Sequence, residues 1–277
     1  MLDLHCHTTY SDGTLTPSQL VDLAVQTGVK ALAITDHDTV AGWPEAIQAA
    51  TEQGVEIVPG VELSTLHLGR SLHILGFYPN PAQLAPTLQA LLQGRQRRAE
   101  VMVAKLADLG CAIDLPQLGI GVAPSRPHLA SALVQAGYAK SVPEAFDRWL
   151  RDSGPAYVPY ETITAQAGIA LLRDCGAVPV WAHPYLFRGG TVETLLPDLI
   201  EAGLMGLEVY HPSHSPSQTR TLEQLSRQHG LLLTGGSDYH GLPSGSQARE
   251  YVELNHLALP FSLLTRLKQS RVGEWVI

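Results

Sequence analysis

The sequence predicts an α/β protein built on a parallel sheet or barrel, with one small helical insertion. Short apolar segments alternate with helical segments along most of the 277 residues, a pattern that is typical of βαβ units. The alternation breaks once, over residues 110–160, which are rich in Gly and Pro, and then resumes. A composition of 45% hydrophobic and 16% charged residues excludes disordered, collagen-like and coiled-coil classes.

The elements of the first half follow from local signals. Thr16, Pro17 and Gln19 form a helix start with a capping box, and Gly28 ends that helix. Short continuous apolar runs are typical of strands buried on both faces of a parallel sheet. The predicted order is strand 1–7, helix 17–27, strand 31–35, helix 44–53, strand 55–61, strand 72–78 and helix 82–109.

The second half contains the insertion and then further βα units. Helical pieces are predicted at 127–136 and 142–150, inside the insertion. The order after it is helix 163–174, strand 177–182, helix 192–202, strand 206–210, helix 216–228, strand 231–234, a short strand near 250–254 and helix 260–269. We therefore divide the chain into a first barrel part (1–97), a helical insertion that caps the substrate (98–162) and a second barrel part (163–277).

Charge, hydropathy and cysteine content limit the partners and the compartment. The net charge of −8 argues against a large surface for duplex DNA, which needs many Lys and Arg. The sequence has no run of 18 apolar residues and no secretory signal, so we expect no membrane contact. Cys6, Cys111 and Cys175 are odd in number and far apart, which predicts buried free thiols in a reducing cytoplasm.

Side chains able to bind metal follow the predicted strands one after another. They are His5, His7 and Asp12, then Asp36, His37 and Asp38, then Glu62, then His73, then His183, then Glu208 and His211, and finally Asp238 and His240. The carboxyl ends of the strands in a parallel α/β barrel form one face, and active sites lie there. A lone histidine near a strand is more often structural, but buried ionisable groups are costly unless paired or metal-bound. Their recurrence on strand after strand therefore predicts a metal centre.

The spacing within the motifs supports the same chemistry. Alternate residues of a strand share a face, so His5 and His7 point the same way, as do Asp238 and His240. A carboxylate such as Glu62 can bridge two ions. Mixed nitrogen and oxygen ligands suit Mn, Fe(II) or Zn better than Mg or Ca.

Five segments resemble, in the expected order, the motifs of the PHP (polymerase and histidinol phosphatase) domain. They are residues 4–13 (LHCHTTYSDG), 34–38 (ITDHD), 60–62 (GVE), 182–184 (AHP) and 237–240 (SDYH). The resemblance covers both ends of the chain and leaves out the insertion. It implies an amidohydrolase-like, distorted (β/α)7 barrel and a metal-dependent hydrolase that acts on phosphate esters.

The resemblance also implies a set of nine ligands shared among two or three divalent ions, with Mn favoured over Fe or Zn. The first ion would be held by His5, His7, Glu62 and Asp238. The second would be held by Glu62, His73 and His183, with Glu62 as the bridge. The third would be held by Asp12, His37 and His240.

A narrower resemblance lies in the insertion, at residues 125–130 (SRPHLA). This segment is similar to one in a PHP subfamily that includes nucleoside 3′,5′-bisphosphate phosphatases and 5′→3′ exoribonucleases. It implies that Ser125, Arg126 and His128 contact the substrate, with Arg126 binding a phosphate bidentately. His211 and His214 are further candidates, and Arg126, His128 and His211 are the candidate catalytic residues. The alternatives are that Arg126 only starts a helix and that His214 is a solvated loop residue, which the sequence favours.

These expectations combine into one hypothesis about function. The protein would remove the 3′-phosphate of nucleoside 3′,5′-bisphosphates, for example converting pAp to AMP, by attack of a metal-activated hydroxide. The alternative is a 5′→3′ exoribonuclease on short or 5′-phosphorylated RNA. Arg95, Arg97 and Arg98 would favour RNA, although a basic helix face is usually just solvated. A histidinol phosphatase and a non-enzymatic metal-binding module rank lower.

Overall fold

In the part of the chain that the structure describes, seven strands form one mixed sheet that curls until its first and last strands meet. The computed structural model describes residues 1–116, 118, 122–159, 162–241 and 252–271. The strands are β1 (Leu2–Asp3), β2 (Ala31–Ile34), β3 (Glu56–His67), β4 (Arg70–Phe77), β5 (Val178–Trp181), β6 (Gly206–Tyr210) and β7 (Leu232–Gly235). They lie in the sheet in chain order. This confirms the predicted α/β barrel with seven strands.

Backbone contacts between the two ends of the sheet bring the barrel close to closure. The amide of Leu4 donates to the carbonyl of Gly235 (3.3 Å), and the amide of His7 donates to the carbonyl of Tyr239 (2.9 Å). Gly236 is required at this seam, because an added Cβ would lie 2.4 Å from the backbone nitrogen of His5. The segments after β1 and β7 are therefore held side by side.

The fourth strand departs from the prediction of a parallel sheet. β4 pairs antiparallel with both β3 and β5, whereas the other strand pairs are parallel. Only Leu68 (φ 49°) and Gly69 (φ 74°) connect β3 to β4. Two residues with positive φ form a tight hairpin, and a hairpin can join only antiparallel strands. As a result the beginning of β4, not its end, lies beside the carboxyl end of β3.

Other strand limits also differ from the prediction. β1 is shorter than predicted, and β3 runs to His67 rather than ending at residue 61. Residues 252–254 form no strand, so the strand predicted near 250–254 is wrong at these positions, and positions 250 and 251 lie outside the described residues. The segment instead passes its backbone close to the buried Asp3, whose carboxylate accepts from the amide of Asn255 (3.3 Å).

Helices surround the sheet and form the insertion. They are α1 (Pro17–Thr27), α2 (Trp43–Thr51), α3 (Pro81–Asp108), α4 (Arg126–Gln135), α5 (Val142–Ala145), α6 (Ala165–Asp174), α7 (Val192–Glu201), α8 (Pro216–His229) and α9 (Ser262–Gln269). The capping box of Thr16 and Gln19 and the left-handed Gly28 cap occur as predicted. Among the described helices, none is long and apolar enough to cross a membrane.

The long helix α3 connects the barrel to the insertion. Leu84, Leu88 and Leu91 pack in the same apolar cluster as the barrel strands. Further along, Met102 and Leu106 belong to a separate cluster made only of insertion residues. The predicted boundary at 97–98 falls inside this continuous helix. The domain limits stay a prediction, but the insertion has its own small core and is fastened to the barrel through α3.

Candidate metal centre

The structure brings the nine predicted ligands together at one mouth of the barrel. They are His5, His7, Asp12, His37, Glu62, His73, His183, Asp238 and His240. His73 joins this face because β4 runs antiparallel to β3. Its pairing partner in β3 is Ser64, two residues past Glu62. Sequence alternation alone would not place a mid-strand residue there. The role of the nine as ligands stays a prediction.

Glu62 lies at the centre of the cluster. Its side chain is only 1% exposed, and its two carboxylate oxygens are near nitrogen atoms of five histidines. The distances are 3.2 Å to His5 Nε2, 3.2 Å to His7 Nε2, 3.1 Å to His37 Nδ1, 2.9 Å to His73 Nδ1 and 3.0 Å to His183 Nε2. A carboxylate surrounded in this way is placed to bridge two ions.

Three groups of side chains have ligand atoms within 4.8 Å of one another. The groups are His5, His7, Glu62 and Asp238; His7, Asp12, His37 and His240; and His37, Glu62 and His73. The first is the set expected for the first ion. The second is the third-ion set with His7 added. In the last, His37 takes the place expected for His183, although His183 also contacts Glu62. The described residues therefore offer overlapping groups of ligand atoms that are able to hold metal ions.

The donor atoms themselves fit a metal. In the described part of the chain, several buried side-chain atoms of this cluster make no hydrogen bond. They are His5 Nε2, His7 Nε2, Asp12 Oδ1, His37 Nδ1, Glu62 Oε2 and Asp238 Oδ1. Buried polar atoms are normally hydrogen-bonded, and exceptions call for an explanation such as an ion. Imidazole nitrogens and carboxylate oxygens are the donors that Mn, Fe and Zn accept.

Burial and opposite charge compete over the protonation of the cluster. Burial alone would raise the pKa of the Glu62 carboxyl, but the imidazoles of His37, His5 and His73 outweigh it and hold that pKa well below its usual range. His37 and His240 likewise keep the pKa of Asp12 low against the effect of its burial. For His7, burial lowers the pKa, yet the adjacent carboxylates of Asp238 and Glu62, each 3.2 Å from Nε2, raise it to about 10. The carboxylates are thus ionised and available to cations at neutral pH.

Outer partners orient the imidazoles. The Ser11 hydroxyl donates to Asp36 Oδ1 (2.6 Å), so its oxygen accepts from His7 Nδ1 (3.3 Å). His240 Nδ1 donates to the carbonyl of Asp238 (2.8 Å). Because a neutral imidazole has one protonated nitrogen, these bonds leave Nε2 of each ring free to bind an ion.

Three strand-end turns hold a residue other than glycine at positive φ. These are Asp38 (φ 54°), His183 (φ 31°) and Asp238 (φ 55°). Such a conformation costs about 1–3 kcal/mol and persists only where the surrounding structure holds it in place. All three turns border the metal-centre cluster. The strained backbone therefore occurs where the turns direct side chains into the site.

Two adjoining cavities open above the cluster. The first has a volume of about 300 Å³ and is lined by metal-centre residues together with Arg126, Trp181 and Phe187. The second, of about 210 Å³, is lined by Arg95, Arg98, Arg126 and Tyr157. His37, Ser71, His73 and Arg126 line both. A small molecule could therefore extend from the metal centre to the arginines without leaving the site.

Arg126 lies at the boundary between the two cavities. It is the first residue of α4, followed by Pro127, as the helix-start alternative requires. Its guanidinium nevertheless reaches the boundary between the cavities, where Nη1 donates to Asp152 Oδ1 (2.8 Å) and to the carbonyl of Leu150 (3.2 Å). The two interpretations are compatible: the backbone starts a helix, and the side chain faces the site.

The other candidate substrate residues differ in their surroundings. His128 Nδ1 accepts from the amide of Ser125 (3.1 Å), which makes these two residues a capping box. Neither cavity has His128 among its described lining residues, whereas Ser125 lines the second. His211 is buried, with Nε2 3.5 Å from Asp238 Oδ2. The solvated alternative for His214 is wrong, because its ring is buried and Nδ1 donates to the carbonyl of Val209 (3.0 Å).

Sequence analysis named Arg95, Arg98 and Glu208 but did not assign them to the site. Arg95 Nε donates to Asp38 Oδ2 (2.7 Å), and Arg98 Nε donates to the carbonyl of Val158 (2.8 Å). Both are partly buried, so a solvated basic face is wrong for them, whereas Arg97 is exposed. Arg95 and Arg98 are three residues apart, which puts their side chains on one face of a helix. This spacing is the sequence feature that could have indicated a shared basic surface at the site. Glu208 was noted only as a strand-end carboxylate, and it contacts His5 and His183.

An α/β barrel with histidines and carboxylates gathered at its mouth is the architecture of a metal-dependent hydrolase. Comparison with known proteins agrees. The PHP domain matches residues 3–109, and whole-length relatives extend the match to most of the chain. The chain belongs to the PHP family and is a metal-dependent phosphoester hydrolase.

Relatives of similar identity differ in their substrates. A 3′,5′-nucleoside bisphosphate phosphatase of Chromobacterium violaceum is 33% identical over 89% of both chains. A 5′-3′ exoribonuclease of Haemophilus influenzae is 35% identical over 86% of this chain and 89% of its own. A phosphoribosyl 1,2-cyclic phosphate 1,2-diphosphodiesterase of Eggerthella lenta is 34% identical over 86% of this chain and 94% of its own.

The solved structure of a proposed metal-dependent phosphoesterase from Bifidobacterium adolescentis shares the fold. It superposes with a TM-score of 0.82 at 32% identity and covers 98% of this chain and 96% of its own. The insertion is therefore part of the shared architecture, since the match extends over nearly the whole chain.

Proposed function

We propose that this enzyme hydrolyses the 3′-phosphate ester of nucleoside 3′,5′-bisphosphates to release phosphate and a nucleoside 5′-monophosphate. The observation that carries the proposal is the pair of adjoining cavities. One contains the metal centre, and the other is lined by Arg95, Arg98 and Arg126. A substrate with two phosphates on one ribose would place one phosphate in each.

The first cavity would hold the phosphate that is cleaved. The nine ligands His5, His7, Asp12, His37, Glu62, His73, His183, Asp238 and His240 would bind two or three divalent ions, with Mn preferred over Fe or Zn. Such ions lower the pKa of water and neutralise phosphoryl charge. The three ligand carboxylates leave part of the ions' positive charge uncompensated, which favours a phosphate dianion.

The second cavity would hold the other phosphate and the nucleoside. Guanidinium groups bind phosphate oxygens through several parallel hydrogen bonds. Arg126 lies at the junction of the cavities and would bind whichever phosphate bridges them. The centroid of the Tyr157 ring lies 5.6 Å from the Arg98 guanidinium carbon and 5.7 Å from that of Arg126. Tyr157 also lines the second cavity, where it would give the nucleoside an aromatic contact. Ser125 lies at the same wall.

His211 is the proposed proton donor of the site. The Ser213 amide donates to His211 Nδ1 (3.2 Å), so the neutral ring carries its proton on Nε2. That atom faces Asp238 at the edge of the metal centre. From there it would donate to a phosphoryl or leaving oxygen. His128 and His214 are both held by backbone hydrogen bonds, so we assign them to shaping the site around Arg126 and His211.

An exoribonuclease is the second candidate. Stepwise cleavage of 5′-phosphorylated RNA also breaks a 3′-phosphate ester next to a 5′-phosphate, so the same two cavities would serve it. The Haemophilus influenzae relative, named as a 5′-3′ exoribonuclease, is as similar to this chain as the phosphatase is. The ring of Phe146, at 5.8 Å from the Arg126 guanidinium carbon, adds a second aromatic surface next to the arginines.

A substrate panel tests the proposal. Mn-loaded enzyme is given adenosine 3′,5′-bisphosphate, a 5′-phosphorylated RNA oligomer, a ribose 1,2-cyclic phosphate and histidinol phosphate at equal concentration. We expect the highest kcat/KM for the bisphosphate, with adenosine 5′-monophosphate as the nucleoside product. A higher value for the RNA, with mononucleotides released in order from the 5′ end, would select the exoribonuclease. Preference for either remaining substrate would remove the role given to the arginine cavity.

A further inference from the structure

Glu208 connects two histidines, His5 and His183, that are expected to bind different ions of the metal centre. Its side chain is fully buried, and among the described residues it belongs to none of the three groups able to hold an ion. One carboxylate oxygen, Oε1, lies 2.9 Å from His5 Nδ1. The other, Oε2, accepts from the backbone amide of His183 (2.7 Å). Both oxygens of a single buried carboxylate are thus used by residues of the centre.

The contact with His5 determines which nitrogen can bind a metal. A carboxylate oxygen only accepts, so His5 Nδ1 must carry the proton. The unprotonated Nε2 then faces Glu62 (3.2 Å) and Asp238 (3.3 Å). With the other tautomer, Nε2 would bring a proton to the position where an ion is expected.

The contact with His183 acts on the backbone instead. His183 has a φ of 31°, in the left-handed region that residues other than glycine rarely adopt. The bond from its amide to Glu208 holds this turn, and the turn directs His183 Nε2 to within 3.0 Å of Glu62 Oε1. Without the carboxylate, the amide would lose its acceptor and the turn would relax.

We propose that Glu208 is a positioning residue that sets the tautomer of His5 and the turn of His183 together, so that ions on both sides of Glu62 find their ligands in place. The inference rests on the metal-centre part of the proposed function and not on the choice of substrate. Partners outside the ligand shell that orient metal-bound histidines commonly change metal affinity by about 10–100-fold. Glu208 differs from an ordinary partner because one residue serves two ligands.

Replacement of Glu208 with glutamine tests the hydrogen-bonding role of the carboxylate without changing the size of the side chain. Gln has the shape of Glu, but its amide has one accepting oxygen and one donating nitrogen. Glu208→Gln can therefore accept a hydrogen bond from His5 or from His183, but not from both. If the oxygen faces His183, the amide nitrogen donates to His5 Nδ1 and forces the wrong tautomer. If the oxygen faces His5, the side-chain amide nitrogen of the glutamine faces the backbone amide of His183, and two hydrogen-bond donors meet without an acceptor.

The experiment measures metal binding without substrate. Mn²⁺ affinity is determined by titration of metal-free wild type, Glu208→Gln and the matched control Glu223→Gln. Glu223 accepts a hydrogen bond from Tyr210, on the same strand as Glu208, but lies outside the centre. We expect Mn²⁺ to bind Glu208→Gln about 10–100-fold more weakly, and Glu223→Gln to bind it like wild type. Wild-type affinity in Glu208→Gln would overturn the proposal.

Two further measurements distinguish positioning from a general loss of structure. In the Zn-loaded protein, the ring ¹⁵N–H signal of His5 Nδ1, assigned by its absence in His5→Gln, should be present in wild type and altered in Glu208→Gln. An unaltered signal with a lower unfolding temperature of the metal-free variant would show a purely structural role. If Glu208→Gln fails to fold, Glu208→Asp keeps the charge but is one methylene too short to reach both partners, and the same loss of affinity is expected. These measurements use no substrate, so their interpretation would not change if the substrate panel gave no preference for the bisphosphate.

Discussion

The barrel and the insertion supply the site with two different kinds of charge. In the barrel, ligand atoms from several strands converge on Glu62, and many of them make no hydrogen bond. On α3 and α4, which join the insertion to the barrel, each arginine that faces the cavities is already bonded to the protein. Arg126 is bonded to Asp152, Arg95 to Asp38 and Arg98 to the Val158 carbonyl.

This difference separates reactivity from selectivity. Unpartnered buried donors are poised for ions, which bind them strongly and without rearrangement. Bonded arginines must exchange or share their partners with a ligand, so small changes in those partners adjust affinity. Changes in the barrel should therefore remove activity, whereas changes in the insertion should shift KM.

Loss of the central carboxylate should have the largest effect. Glu62→Gln removes the charge that faces five histidines, and we expect kcat to fall on the order of 10³-fold because metal ions supply several kcal/mol of transition-state stabilisation. Metal content per chain, measured on the purified variant, should fall as well. Glu56→Gln is the control, since Glu56 lies on the same strand but pairs with Lys268 at the surface. Wild-type kcat in Glu62→Gln would contradict the central position of this residue.

Metal binding should depend on pH through His7. With its pKa raised to about 10, the metal-free imidazole keeps its proton at neutral pH, and an incoming ion must displace it. The affinity for Mn²⁺ should therefore rise with pH by about tenfold per pH unit for one displaced proton, up to a pH near that pKa. Calorimetric titrations in buffers between pH 6.5 and 8.5 measure this. An affinity that levels off above pH 7 would mean that His7 has an ordinary pKa.

The next largest effect is expected from truncation of Arg126, which lines both cavities, and it should fall on substrate binding. Arg126→Ala removes a charged donor from both cavities. We expect the decrease in kcat/KM to correspond to a loss of about 1.5–3 kcal/mol of transition-state stabilisation, mainly through a higher KM, because hydrogen bonds to charged groups contribute that much. Metal content should not change. Arg148→Ala is the matched control from the same insertion, as Arg148 is half exposed and bonded to Glu144. Equal kinetics for wild type and Arg126→Ala would show that Arg126 only starts a helix and does not bind the substrate.

The smallest effect is expected at the partner of that arginine. Asp152 is 48% exposed and competes with a phosphate for Arg126. Since exposed ion pairs contribute about 0.2–1 kcal/mol, Asp152→Asn should lower KM by a few-fold or less, with kcat unchanged. Steady-state kinetics at low ionic strength would resolve the change. An increase in KM would show that Asp152 holds Arg126 in its binding position instead.

Local patterns predicted much of the fold and the membership of the site. The apolar runs and caps located the strands and helices, and the motif residues such as His5, Glu62 and Asp238 meet as expected. The direction of β4 was not predicted, because periodicity is the same for parallel and antiparallel strands. The burial of His214 was missed for a similar reason: Pro and Ser around it suggest a solvated loop, yet Val209 and Tyr185 contact it.

By itself, the sequence determined that this is an α/β protein whose strands end in metal-binding side chains, since helical and strand periods and motif spacing are local properties of the chain. Tertiary structure alone decided which charges meet across long separations. Arg95 bonds to Asp38, 57 residues away, and Glu208 bonds to His5, 203 residues away. Those contacts depend on how the barrel closes and where α3 carries the insertion, and no local pattern encodes either.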